Sequence, residues 1–391
     1  MVSADPAGWL TSQIALPATA QIAGVPSAAA RIVLNRMHLL DSDLLSRLAG
    51  AVASPAPFVE RLALFWSNHL AVSAARDSDS NVVVPYENEA IRPYVTARYV
   101  DMLRASSRHQ AMLIYLDLNG QIGPHSARGV KSRWGFNEDY ARELMELHTV
   151  GPIYAQTDVD ELALALTGWA IDRATGLVTY DPAAHEPGER RVLGAVLPAG
   201  DGQAYAAIAM LVGHPATAWS VCTKLATHFI SDTPPPDLVA AMAQAWGADG
   251  ALTGVYAALL GHPAAWAPGA VKYRTPEQFV IASARALQLS GKEALLLHHQ
   301  RVLGQRPFLA PSPQGYPDDA TAWLTPNGVL LRVGAAVSLA SFATTKTAPS
   351  ILMSELLAPD PTSHTPDAVR GAPSRIEAFG LLLASPEFQR S

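Results

Sequence analysis

The chain has 391 residues and a formal net charge of −6, with 49% hydrophobic and only 16% charged residues. Acids and bases are mixed along its length, so the basic stripe that a phosphate backbone requires is missing and a nucleic-acid partner is not expected. The longest apolar run, around residues 333–343, is about half of the ~20 residues that a spanning helix needs, so no transmembrane segment is expected either.

Met1 to Asp5 show neither the basic region nor the apolar stretch of a secretory signal. From Ala29 to about Ala170 apolar residues recur at helical spacing, and alternation of the strand type is short or absent. In residues 57–75, Phe58, Leu62, Phe65, Trp66, His69 and Ser73 fall on one face, which predicts a buried helix whose apolar stripe contains His69. Two more helices are expected at Ile91–Leu103 and His109–Leu118, separated by a polar turn at Arg104–Arg108.

The densest segment follows at 136–170. Asn137 is a good helix cap, Glu138 and Asp139 sit where the helix dipole favours acids, and Gly151 closes a helix Glu138–Val150. Tyr140, Leu144, Leu147 and His148 make its apolar line, with Glu138, Arg142 and Glu146 as a charged ladder beside them. Thr157 is expected to cap a second helix with the stripe Val159, Leu162, Ala163, Leu166 and Trp169, which pairs with the first as a hairpin and ends at Gly168.

Residues 172–199 break the helical habit. Strand-like stretches at Leu177–Tyr180 and Arg191–Val196 flank a Pro/Gly turn, so an inserted β-hairpin or ordered loop is expected, carrying His185 and Glu186. Helices resume at Ala204–Val212, Pro215–Ile230, Asp237–Trp246 and Leu252–Leu260, then at Gly328–Ala343 and Arg375–Leu383, with loops at Gln305–Asp319 and Pro359–Pro373. Two echoes, His214-Pro215 and His262-Pro263, place histidine at helix starts, because proline suits the first helical position. Cys222 stands alone, so no internal disulfide forms, and its apolar setting reads as a buried thiol. The fold class that results is all-α, a multi-helix globular array in one helical domain over residues 1–391 with a small β insertion at about 172–199.

Candidate chemistry centres on Glu143 and Glu146. At i, i+3 they lie about 60° apart around a helix and can converge on one cation, with His69 and His109 on inward-facing helices as further ligands for a divalent metal. A metal-free catalytic cluster of the same acids with His69, Arg92 and His185 is a second reading, and plain structural packing of the ladder a third. His148 stands about 140° from Glu143 and is not expected to join it. No nucleophile elbow, phosphate loop, cysteine pair or His-Glu-x-x-His motif occurs.

Asn137 to Gly151, Ala165 to Trp169, Phe65 to Ser73, His109 to Leu113, His214 to Thr217, His228-Phe229, Pro313 to Trp323 and Ser385 to Phe388 occur in an order that resembles the bacterial domain of unknown function 1800 family. That resemblance covers nearly the whole chain and implies no catalytic residues. It implies an exported setting and, as protein partner, a member of the phosphatase and sulfatase-like superfamily. Two functions are therefore expected as alternatives: an enzyme with a Glu/His pocket, hydrolytic or oxidative, or a non-catalytic accessory protein for such a partner.

Overall fold

The structure is a computed structural model and describes residues 5–15, 21–34, 39–76, 81–131, 136–267, 272–357 and 360–391. Helices account for nearly all of its regular structure, so the chain is all-α with a small β insertion. The apolar side chains that the helical periodicity marks are the ones that end up buried, and they form one continuous cluster from Ile14 to Phe388. Among the described residues no single helix is long and apolar enough to cross a membrane.

The expected helix at residues 57–75 runs Pro57–His69 and buries Phe58, Leu62, Phe65, Trp66 and His69 as predicted. Trp66 donates its indole N–H to the Tyr256 hydroxyl at 2.6 Å, and Tyr256 donates in turn to the Val95 carbonyl at 2.9 Å. That relay ties the helix to Leu252–Gly261, far along the chain.

Ile91–Leu103 is not one helix. A short helix Val83–Tyr86 passes into a π-turn at Glu87–Ile91 and a 3₁₀ turn at Arg92–Tyr94, and a regular helix starts only at Tyr99 and runs to Ser107. Pro93 contributes to the break, because it lacks the N–H that would continue the helical hydrogen bonds. The next helix is shorter than expected, Gln110–Tyr115, with His109 as its cap.

The central pair forms as Asp139–Glu146 and Gln156–Ala165. Asn137 Oδ1 accepts the Asp139 N–H at 2.7 Å at the start of the first, but that helix ends at Glu146, short of the expected Val150, and Gly151, with φ 75°, closes the turn that follows through its N–H to the Met145 carbonyl at 3.0 Å. Thr157 does not cap the second: that helix opens after Ala155, whose N–H donates to Asp158 Oδ2 at 2.9 Å.

The insertion is two hairpins rather than one. Trp169–Ile171 pairs antiparallel with Val178–Tyr180, and Arg190–Val192 with Ala195–Leu197. The expected strand Arg191–Val196 folds on itself because Leu193 and Gly194 both take positive φ, the geometry of a two-residue hairpin turn. Downstream, helices form at Gln203–Gly213, Pro215–Phe229, Pro236–Gln244, Leu252–Gly261, Pro326–Ala340 and Arg375–Ala384, within a few residues of their expected ends. The expected loop at Pro359–Pro373 contains a helix, Thr365–Gly371, and its first residue lies outside the described residues, as do Met1 to Ala4. Leu40–Ala53 falls within the stretch expected to be helical from Ala29 on, and helices at Pro276–Leu287 and Glu293–Val302, which were not expected, add to the array. His214 and His262 stand at helix starts as expected, each Nδ1 accepting the N–H two residues on at 3.2 Å.

Five charged side chains run through the core in a chain. Arg92 donates to Glu60 at 2.5 and 3.0 Å and to Glu87 at 2.9 Å; Arg47 donates to Glu87 at 2.7 Å and to Glu277 at 2.5 Å. Burial alone would raise the Glu87 carboxyl, but Arg47 and Arg92 hold it below the ordinary carboxylate range. Its stabilising contribution is thus fully present above the unfolded-state value of 4.5 and declines as the pH falls below it. Glu87→Gln, which removes the carboxylate that Arg92 and Arg47 share while leaving them Glu60 and Glu277, should cost about 1–3 kcal/mol in urea unfolding at neutral pH, and the mutant should lose less stability than wild type on acidification. An unchanged urea midpoint would contradict this account.

Candidate functional site

The six expected site residues do not meet in one place. His69 is buried in the helix core, where Tyr99 donates to the His148 carbonyl at 2.7 Å and so receives, at 3.1 Å, a hydrogen bond from His69 Nε2. Arg92 belongs to the buried charge chain. His109 Nδ1 accepts the Ala111 N–H at 3.1 Å, which leaves Nε2 to donate to Glu89 at 3.1 Å. His185 Nδ1 donates to the Thr167 carbonyl at 3.0 Å beneath the first hairpin. Glu143 and Glu146 share a half-buried helix face, but Glu146 accepts the Tyr154 hydroxyl. Among the described residues no group of three or more His, Cys, Asp or Glu side chains is placed to hold a metal ion, so the expected convergence of His69 and His109 on the two glutamates is absent. The reason is partner choice: each imidazole finds a nearer acceptor on its own side of the bundle.

Around the end of helix Asp139–Glu146 the electrostatics are nonetheless perturbed. His148 is wholly buried with neither ring nitrogen hydrogen-bonded, and burial, then Lys224, pushes it down to about 3. Burial and the same lysine also hold His69 well below its ordinary value. Lys224 donates to the Leu147 carbonyl at 2.7 Å, and burial brings it down to about 8. The two imidazoles are therefore held neutral beside a buried lysine that keeps its charge at neutral pH.

The open site lies on the other face of Pro57–His69. A cleft of about 20 Å³, enough for one water molecule, is lined by Arg61, Asn68, His228, Gln278, Tyr316 and Asp318 among others. His228 comes from helix Pro215–Phe229 and Asp318 from the loop 305–319, and the two Asp318 oxygens stand 2.8 and 2.9 Å from His228 Nδ1. Lys272 fixes that loop by donating to the Asp318 carbonyl at 2.5 Å and to Asp232 at 2.5 Å.

Gln278 completes the arrangement. Its Oε1 accepts the Thr275 N–H at 3.0 Å in a helix capping box, which leaves its amide N–H to donate to His228 Nε2 at 3.1 Å. The tautomer follows: Nδ1 carries the proton and Nε2 the lone pair on the cleft side. Burial alone would raise the Asp318 carboxyl, but His228, Lys272 and Arg61 hold it below the ordinary range, so it is ionised. A carboxylate that orients an imidazole beside a water-sized space can accept a proton from that water.

Sequence reasoning passed over His228, Asp318 and Gln278. The first two stand 90 residues apart in the chain, and no local spacing links them. Neither was the role of the loop 305–319 visible: Tyr316 and Gly315 dock onto Asn68, whose Oδ1 accepts the Tyr316 N–H at 2.7 Å. Gly315 has φ 80° with the Asn68 carbonyl pressed against it, so the loop needs glycine there to seat Asp318.

A family described as "Protein of unknown function (DUF1800)" matches the chain over residues 1–390. No curated protein and no solved structure matches it.

Glu143 gives a direct test of the expected glutamate site. Burial, then Glu146 and Asp139, pushes its carboxyl up, so the folded state binds that proton more tightly than the unfolded chain and loses stability as the pH rises past 4.5. Glu143→Gln should therefore raise the melting temperature at neutral pH and change it little near pH ~4. A fall at neutral pH would show that the ionised carboxylate holds something in place.

Proposed function

The chain belongs to the family of proteins of unknown function DUF1800, and within it we propose a hydrolytic enzyme whose proton acceptor is His228, oriented by Asp318 at the cleft beside helix Pro57–His69. The observation that carries this reading is the Asp318–His228 pair at 2.8 and 2.9 Å lining a space for one water. Water entering that space takes the place of the Gln278 amide at Nε2. It gives a proton to Nε2 as its oxygen adds to the electrophilic centre of an ester, and the proton then passes to the leaving oxygen. Asp318 stabilises the imidazolium formed in between, as a carboxylate does behind a histidine base. The Gln278 amide, released from Nε2 by that water, is the polar group along the cleft that can orient a substrate. Compared with the glutamate pocket expected from sequence, this keeps the hydrolytic class and moves the residues.

A second reading, protein docking, is favoured by a different observation. Val329, Leu330, Val333 and Val337 fall on one face of helix Pro326–Ala340 and are all exposed, Leu330 by 70%. An exposed apolar ridge of this kind suits a protein surface, such as the phosphatase and sulfatase-like partner that the resemblance implies.

Release of p-nitrophenol from p-nitrophenyl acetate, phosphate and sulfate tests the first reading. His228→Gln should lower kcat by about 10²–10⁴-fold with KM and melting temperature nearly unchanged, and Asp318→Asn should lower it as well. Turnover untouched by His228→Gln, or none with any of the three esters, would remove it. For docking, Leu330→Glu should abolish a cross-linked partner species without lowering the melting temperature.

A further inference from the structure

A second cavity lies between helices Pro57–His69 and Pro276–Leu287. It measures about 130 Å³, and its walls include Glu60, Arg61, Arg274, Gln278, Ala282 and Arg285. Three arginines therefore line a space that is large enough for more than one water molecule.

Their hydrogen bonds are incomplete in an informative way. Arg61 keeps Nε and Nη2 shielded from solvent and without a hydrogen-bond partner, its guanidinium lying 5.0 Å from the Phe229 ring centre. Arg274 donates to the Phe388 carbonyl, and Arg285 Nη1 to the carbonyls of Val52 at 2.8 Å and Ser54 at 2.9 Å. Neutral oxygens thus aim Arg274 and Arg285, and neither is paired with a carboxylate among the described residues. Glu60 is the one acid lining the cavity, but both of its oxygens are occupied by Arg92. Asp318, the acid that acts on Arg61, has both oxygens on His228.

Arginine does not give up its proton in a protein, so buried guanidinium donors without acceptors carry a desolvation cost that an anion would offset. Burial lowers Arg61 to about 10 and, with repulsion from Arg61 and Arg332, Arg274 to about 9. Those shifts agree with the geometry: three arginines gather where the acids that act on them, Glu60 on Arg285 and Asp318 on Arg61, are already hydrogen-bonded by Arg92 and His228.

The space continues outward. Arg274, Ala282 and Arg285 also line a broader cleft of about 830 Å³ whose walls include Val52, Leu352 and Leu356. An apolar body can rest there while a charged end reaches inward.

We propose that the Arg61–Arg274–Arg285 cavity binds the phosphate or sulfate group of a small organic ester, with the organic remainder in the adjoining apolar cleft. Guanidinium forks match tetrahedral oxoanions geometrically, and Arg61 offers two of its donors unshared. The site touches the His228 cleft through Arg61 and Gln278, which line both. Binding there is independent of whether His228 turns the ligand over.

Calorimetric titration of the full chain at constant ionic strength decides the matter, with inorganic phosphate, inorganic sulfate and phenyl phosphate as separate probes and acetate as the monoanion control. Phosphate, sulfate or both should saturate a single site, acetate should bind at least about tenfold more weakly, and phenyl phosphate should bind more tightly than phosphate. Arg61→Met should weaken binding about 10–100-fold, the scale of a lost charged hydrogen bond. Ala282→Glu, which brings a carboxylate to the cavity wall, should abolish phosphate binding and raise the melting temperature of the unliganded protein. Equal affinity in wild type and Arg61→Met, acetate binding as tight as phosphate, or no saturable binding of any oxoanion would overturn the proposal. Should Arg61→Met fail to fold, Ala282→Glu that binds phosphate like wild type overturns it alone.

Discussion

The buried chain Glu60–Arg92–Glu87–Arg47–Glu277 is the constraint on which the rest of the fold depends. It joins four elements that lie far apart in sequence, with Arg47 and Glu277 separated by 230 residues. A buried charge without a partner is costly, so a one-residue slide of any of these elements, which would break these pairs, is disfavoured. The register of Leu40–Ala53, Pro57–His69, the π-turn at Glu87 and Pro276–Leu287 is thereby locked together. Arg92, which reads from sequence as a member of a catalytic cluster, is consumed in that lock.

The consequence for function is a division of labour on one helix. Pro57–His69 turns Phe58, Leu62, Trp66 and His69 into the core and presents Glu60, Arg61, Leu64 and Asn68 to the other side. Because Glu60 is held by Arg92, it cannot neutralise Arg61, one helical position on. The charge chain therefore does more than stabilise: it holds Glu60 away from Arg61, which lines both the cavity and the cleft where Asp318 and His228 meet.

The histidines show why residue type alone misleads. His109, His214 and His262 all use Nδ1 to cap a helix, a local task legible from the His-Pro pairs in two cases and hidden in the third. His69 and His148 stay neutral inside the bundle, since burial beside Lys224 disfavours a charged imidazole. His228 alone among these has a carboxylate on one nitrogen and a solvent-open cleft on its other side. Nothing in its surroundings, Ala226 to Phe229, distinguishes it from the rest.

What the sequence by itself determined is whatever depends on neighbours a few residues away. Apolar spacing set the helices and which face of Pro57–His69 is buried, Asn137 marked the start of the central helix, and the strand-like stretches marked the insertion. Even there, positive φ at Leu193 and Gly194 divided one expected hairpin into two, and Pro93 contributed to breaking an expected helix. Tertiary structure decided the pairings: which carboxylate each arginine meets, which acceptor each histidine finds, and which cavities remain. Those follow from side chains brought together across 50 to 230 residues, as with Gln278 and His228 or Arg47 and Glu277. Local propensity carries no information about such distances, because a charge or an imidazole acquires its role from whatever the folded chain places within about 3 Å of it.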